Sequence, residues 1–286
     1  FKACNDLAPL HNPANLKGVD AVTSLLPKIP QVGVFDTAFH QTMPQKAFMY
    51  AIPYDMYENY GVRRYGFHGT SHRYVSARAL EFLGKKAEGS KVITAHIGNG
   101  GSLAAVKDGK CQDTSMGLTP LEGVMMGTRS GDIDGGAVSF IQKKLGLDAD
   151  GISNYLNKKS GLAGISCKSS DMREVFQAAS EGDAKCKLAI DMYTYRIKKY
   201  IGSYAAALGG CDVLVFTAGV CENQSDIREA ICEDMEWMGI KLDKEKNAQI
   251  HGEEAIISTP DSKVTVVVIP TDEELMIASD TMELVK

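Results

Sequence analysis

The sequence predicts an α/β fold, and three observations carry that prediction. Apolar, largely β-branched runs of strand length recur at Val92–Ala95, Asp212–Phe216 and Val264–Ile269. Segments between them repeat apolar residues every three or four positions. The clearest is Ala184–Leu208, where Ile190, Tyr193, Ile197, Tyr200, Ile201, Tyr204 and Leu208 share a face. Polar, glycine-rich loops follow the strands, which is where α/β proteins gather the groups of a cleft.

Taken in order, the first thirty residues are mixed. A turn-rich His11-Asn12-Pro13-Ala14-Asn15 precedes a short helix expected from Val19 to Leu26. Gln31–Phe39 reads as a buried strand ending at Asp36-Thr37, which puts a carboxylate at a strand's C-terminal end. Pro44–Asp55 is expected to be a linker with a short strand. Ser71–Leu83 has helical spacing behind a Ser cap. Lys91–Val106 reads as a hairpin, its strands separated by a turn with three glycines among Gly98-Asn99-Gly100-Gly101. Thr114–Gly136 is a long irregular loop, too rich in glycine for regular structure. Short helices are expected at Ala137–Leu145 and Ala149–Leu156, another beginning at Ser169, then the long helix. Ile227, Ile231 and Met235 mark a further helix. Thr271 is expected to cap the last helix in a capping box with Glu274, and Leu275, Ala278, Met282 and Val285 to form its inner face.

The 286 residues can bury a substantial core and divide into two domains of ordinary size. A net charge of −5 argues against broad contact with nucleic acid or anionic membrane. The seven cysteines are scattered without a C-x-x-C pair, which argues for free thiols in a reducing compartment rather than a disulfide framework or zinc site. No signal peptide and no apolar run of about 18 residues is visible, and the expected location is the cytoplasm. The chain opens at Phe1 without Met, inside patterned sequence, so an upstream portion is expected.

Several loops carry reactive groups. Successive backbone N–H groups in the glycine turn can form a nest for phosphate oxygens, although an ordinary glycine-rich hairpin has the same composition. The turn matches neither the P-loop nor G-x-G-x-x-G, because Leu103 stands where a third glycine would be. Gly127-Thr128-Arg129-Ser130-Gly131 sets an arginine between glycines, able to present its planar fork to phosphate or to remain a surface cation. Phe67-His68-Gly69 sets an aromatic beside a histidine at a turn. Backbone cradle, cationic clamp and a carboxylate for a hard metal together suggest phosphoryl transfer.

Long ungapped motifs make the resemblance specific: LAPLHNPAN at 7–15, VFDTAFH at 34–40, RRYGFHGTSH at 63–72, HIGNGGS at 96–102, GTRSGDID at 127–134, FTAGVCEN at 216–223 and IPTDEE at 269–274. Over essentially the whole chain the sequence resembles the acetate kinase family, within the actin and sugar-kinase superfamily. The resemblance implies a ribonuclease-H-like, actin-like ATPase fold of two domains with the nucleotide between them. It implies reversible Mg²⁺-dependent (or Mn²⁺-dependent) transfer from ATP to acetate, giving acetyl phosphate and ADP, in a cytoplasmic homodimer. Residues 1–38 plus 273–286 would then be the remainder of an incomplete N-terminal domain, and 39–272 the C-terminal nucleotide-binding domain.

By the same resemblance Arg129 and His68 stabilise the transferring phosphoryl group, and Asp36 is the catalytic aspartate. Glu273 and Asp36 serve the metal. His96, Gly98, Asn99, Gly100 and Gly101 form the phosphate loop, and Asp171, Arg173, Gly219, Val220 and Asn223 the adenosine site. Leu10, Phe67 and Pro120 wall a methyl-sized pocket, and His11 is a supporting polar residue of the cleft. Such a pocket discriminates against one extra methylene by only about 1–3 kcal/mol, so propionate is a plausible second substrate. The family's N-terminal strand, its Asn/Ser-rich phosphate loop and the segment with a second active-site arginine have no counterpart in this chain. Cys221 stands where many relatives carry Gly, and Gly135-Gly136 where they often carry Pro-Ala. A propionate or butyrate kinase, or a non-catalytic nucleotide-binding fragment, are the alternative readings.

Overall fold

The computed structural model describes residues 12–286. Leu10 and His11 lie outside the described residues. In chain order the elements are α1 (Asn12–Leu25), a 3-10 turn (Ala38–Thr42), α2 (Gln45–Phe48), α3 (Asp55–Tyr60), α4 (Gly69–Phe82), β1 (Lys91–Ile97), β2 (Gly101–Lys107), β3 (Lys110–Thr114), α5 (Gly135–Leu145), α6 (Ala149–Lys158), α7 (Gly161–Ser166), α8 (Met172–Ser180), α9 (Ala184–Leu208), β4 (Val213–Thr217), α10 (Ala218–Asn223), α11 (Ser225–Cys232), a 3-10 turn (Glu236–Met238), α12 (Lys244–Gln249), β5 (Ala255–Ile256), β6 (Thr265–Val268) and α13 (Glu273–Val285).

The strands make one six-stranded mixed sheet in the order β3-β2-β1-β4-β6-β5. β1 runs antiparallel to β2 but parallel to β4, and β4 parallel to β6. Central strands buried on both faces should read as continuous apolar runs, and β4, Val-Leu-Val-Phe-Thr, is buried at every position. Strand alternation divides the core. Ile93, Ala95, Ile97, Leu214 and Phe216 pack with Ile190, Tyr193, Ile197 and Ile201 of α9. Val92, Val106, Val213 and Val215 pack with Val75, Ala79 and Leu80 of α4 on the other face. Each such side chain contributes about 1.5–3 kcal/mol on leaving water.

The hairpin, the long loop and the 25-residue α9 stand as predicted, α9 with Asp183 capping two backbone N–H groups. Other expectations are corrected. Residues 31–36 form no strand, because no described strand lies beside them to share a ladder, and Phe35 is 49% exposed. Asp36 therefore precedes a 3-10 turn rather than ending a strand. The stretch 44–55 holds helical turns and no strand, and the helix expected from Val19 to Leu26 already covers Asn12–Leu25 among the described residues. α4 begins at Gly69 without a side-chain cap. Strand β3 and the short α7 and α10 were not foreseen, and Met235 lies beyond α11. Asp272, not Thr271, caps α13, accepting from Leu275 N at 2.9 Å. The expected inner face of α13 is largely uncovered among the described residues, with Leu275 51% and Met282 57% exposed. An ion pair between Asp280 and Arg73 of α4 ties it to the body.

Candidate active site

The C-terminal ends of β1 and β4, the start of α4 and the loop 123–131 converge. Ile97 pairs with Gly101, leaving Gly98-Asn99-Gly100 as the turn, and Gly98 N donates to Gly100 O at 2.9 Å. Gly127 N donates to Asn99 O, tying the arginine loop to this turn. A Cβ on Gly127 would lie 2.5 Å from Asn99 Oδ1 and 3.2 Å from Ser170 O, so only glycine lets the turn, the loop and the approach to α8 meet. Gly98 in turn faces Ala218 and Gly219 at the start of α10.

His68 and Arg129 flank the turn. A Cβ on Gly100 would meet His68 Nε2 at 3.4 Å and Arg129 Nη1 at 3.6 Å. Arg129 has no carboxylate partner among the described residues; its Nη1 donates to Pro120 O at 3.2 Å, and desolvation lowers its pKa. An arginine held by a neutral carbonyl keeps its charge for an anion. His68 sits in the left-handed region, φ 55°, just before α4. Its backbone N–H donates to Asp36 Oδ2 at 3.2 Å, and Gly69 N donates to Asp36 O at 2.8 Å. His40, fully buried, bonds Phe67 O through Nε2 at 2.9 Å. A carbonyl only accepts, so His40 carries its proton on Nε2.

Four imidazoles cluster here. The rings of His68 and His96 stack with centroids 4.1 Å apart. His72, one helical turn after His68, lies between Thr94 Oγ1 at 2.7 Å and Ser102 Oγ at 2.8 Å. His96 pairs with Ser71 Oγ at 2.8 Å, and Thr271 Oγ1 donates to the same hydroxyl. Burial pushes His40 and His68 down to about 4, with Asp36 opposing and Arg129 reinforcing the shift at His68. Burial also holds His72 and His96 well below the ordinary histidine value. These rings are neutral at pH 7.

Asp36 and Glu273 are the two candidate metal carboxylates. Glu273 is pushed up by burial and then by the negative charge of Asp36, so the two acids lie within electrostatic reach. Acids so placed fit a hard divalent cation, although no group of three or more His, Cys, Asp or Glu among the described residues forms a ready-made metal cluster.

Of the adenosine candidates, Gly219, Val220 and Asn223 share α10, where Asn223 Nδ2 donates to Gly219 O. Asp171 caps α8, accepting from Arg173 N and pairing with the exposed Arg173 guanidinium at 2.6 Å. Phe67 is half-buried beside His68, and Pro120 is joined to Arg129 through its carbonyl.

Sequence reasoning gave no individual role to His40, Ser71, His72, Thr94, Ser102 or Glu222, although all but Thr94 lie in motifs it singled out. The i, i+4 spacing of His68 and His72 was the available signal. Glu222 Oε1 accepts from Ala218 N, Thr217 Oγ1 and Thr271 N, at 2.6, 3.1 and 3.0 Å. Arg228, fully buried, donates to the carbonyls of Cys221, Glu222, Asn247 and Ile250, fastening the end of α10 from behind.

A sequence profile of the acetokinase family matches residues 1–279. The acetate kinase of Bacteroides thetaiotaomicron is 72% identical over 286 residues, which are all of this chain and 72% of that protein. The acetate kinase of Thermotoga maritima is 62% identical over 98% of the chain and 70% of its own length. The crystal structure of Porphyromonas gingivalis acetate kinase superposes with a TM-score of 0.96 at 61% identity, covering 100% of this chain and 71% of that one. A propionate kinase from Francisella tularensis superposes at 0.92 with 48% identity, over 98% and 71% of the two chains.

Proposed function

The chain belongs to the acetokinase family, and from that premise we propose that it is an acetate kinase, transferring the γ-phosphoryl group of ATP reversibly to acetate to give acetyl phosphate and ADP. The observation that carries the reading is the convergence of His68 and Arg129 on one point beside Gly100, one neutral donor-capable ring and one uncompensated cation at the mouth of a glycine turn. Phosphoryl transfer needs little covalent help from protein. It needs alignment and stabilisation of charge spread over the equatorial oxygens.

In this reading the Gly98–Gly101 turn cradles the phosphates, with the Gly98 N–H closing the turn on Gly100 O, Arg129 and His68 hold the transferring group, and Phe67 and Pro120, with Leu10, wall the acetate methyl. His96 backs His68 by stacking, and His11 is a supporting polar residue of the cleft. Gly219, Val220 and Asn223 on α10, with Asp171 and Arg173, receive the adenosine. Asp36 and Glu273 would hold Mg²⁺ or Mn²⁺, which when bound neutralises phosphate charge. Asp36 also fixes the backbone of His68 and Gly69.

Residues 1–38 with 273–286 form one domain and 39–272 the nucleotide-binding domain, supported by the whole sheet lying between Lys91 and Val268. The protein works as a homodimer in the cytoplasm; no helix among the described residues is long and apolar enough to cross a membrane. The likeness to a propionate kinase favours propionate as a second acceptor.

The test is hydroxylamine trapping of acyl phosphate from ATP, Mg²⁺ and acetate, repeated with propionate and butyrate. Acetyl hydroxamate formed fastest with acetate is the expected result. ATP bound without acyl phosphate from any acid would overturn the kinase reading and leave the nucleotide-binding one.

A further inference from the structure

Ser102 Oγ lies 2.8 Å from His68 Nδ1 and 2.8 Å from His72 Nε2. A hydroxyl owns one proton and two lone pairs, and Ser102 Oγ has no other hydrogen-bond partner among the described residues, so leaving its buried proton paired requires it to donate to one of these nitrogens and accept from the other. With both rings neutral, their tautomers are tied together. If His68 is protonated on Nε2, Ser102 donates to its Nδ1 and must accept from His72 Nε2–H. His72 Nδ1 is then bare and takes the proton of the Thr94 hydroxyl, 2.7 Å away. If His68 is instead protonated on Nδ1, every bond reverses, and Thr94 turns its proton to Ala104 O at 3.5 Å, the limit of a hydrogen bond.

The first arrangement uses the short contact at the Thr94 end and leaves an N–H at the His68 end. Its Nε2 faces the position beside Gly100 that Arg129 also flanks. An anion there is repelled by a bare nitrogen and held by an N–H. The groups around the relay are Asp36, Arg129, His96 and His40, and no carboxylate touches Ser102, His72 or Thr94 among the described residues. His72, Thr94 and Ser102 are all fully or almost fully buried, so water does not compete for these protons.

We propose that Thr94, His72 and Ser102 are positioning residues that hold His68 in its Nε2–H tautomer, making it a neutral hydrogen-bond donor to the transferring phosphoryl group. The inference rests on the acetate kinase reading for the identity of that group, while the tautomer itself is independent of it. A neutral donor matters beside Arg129, because a second full cation is disfavoured there, whereas a pre-aimed N–H strengthens as charge develops on the phosphoryl oxygens.

The experiment is two-bond ¹⁵N–¹H correlation on histidine-labelled protein at pH 7, free and with a non-hydrolysable ATP analogue and Mg²⁺, with His68 assigned by its loss in His68→Asn. The expected spectrum has a protonated Nε2 and a bare Nδ1 on His68, and the same protonation on His72. Ser102→Ala should mix the His68 tautomers and lower kcat about ten- to hundredfold, with KM for ATP changed less than about threefold. Thr94→Val, similar in shape, should shift both readouts the same way by less. An Nδ1–H tautomer or an imidazolium on His68 in the nucleotide complex would overturn the proposal, as would unchanged tautomer and kcat in Ser102→Ala. The wild-type spectrum decides even if a variant fails to fold. A correct tautomer without acyl phosphate formation would sink the kinase reading and leave the relay standing.

Discussion

The carboxylate of Glu222 accepts a 2.6 Å hydrogen bond from the backbone N–H of Ala218, the residue that turns β4 into α10 with φ of 66°. A non-glycine residue there is strained, and persists only where its surroundings over-determine it. Glu222 supplies that constraint, and its third bond, to Thr271 N, reaches the segment entering α13.

Replacing Glu222 by Ala removes three bonds to one charged acceptor. The expected loss of stability is about 2–3 kcal/mol, read from urea unfolding. KM for ATP should rise, because Gly219 and Val220 ride on the turn that Glu222 holds. Unchanged stability would show that the turn holds itself.

Arg129→Ala should lower kcat by about 10²- to 10³-fold while ATP binding, measured by calorimetry, changes little. The guanidinium is anchored by Pro120 O and spends none of its charge on a carboxylate among the described residues. Equal loss of binding and turnover would assign Arg129 to ground-state nucleotide binding.

Gly69→Ala would set a Cβ 2.1 Å from Asp36 O, in the space where Gly69 N bonds that same oxygen. The methyl must displace Asp36, which in turn holds His68 N. A destabilisation of about 1–3 kcal/mol is expected, with a kcat loss larger than that of Gly202→Ala in α9, whose Cβ meets nothing within 4 Å. Full activity in Gly69→Ala would remove Asp36 from the catalytic assignment.

Acid should unfold this protein through its histidines. His40 is fully buried and its pKa falls from 6.5 to about 4. Between those values the unfolded chain binds a proton that the folded chain refuses, so stability rises with pH through this window. The contribution is complete above pH 6.5 and is lost as pH falls toward 4. For His40 alone it is about 3 kcal/mol. His68, His72 and His96 shift the same way and add to the slope. Urea unfolding at pH 7.5 and 4.5 checks the sign. In His40→Gln, where one titrating ring is gone, the difference should shrink.

The sequence by itself determined the elements that local pattern can specify. The apolar runs of β1 and β4, the threes and fours of α9 and the glycines at 98–101 each carry their structure in their own spacing, because strand and helix periods are properties of neighbours along the chain. The motifs around His68, Arg129 and Gly219 likewise mark the candidate site from composition and resemblance alone. Tertiary structure decided what depends on partners distant in sequence. Residues 31–36 look like a strand, but no described strand pairs with them. Thr271 looks like a cap, yet it gives its hydroxyl to Ser71, 200 residues away, and leaves the capping to Asp272. The link of His68 to His72 through Ser102 spans α4 and β2 and exists only once helix and sheet are packed. Hydrogen bonds from buried side chains answer to whatever group the fold brings within 3 Å, and no period in the sequence encodes that.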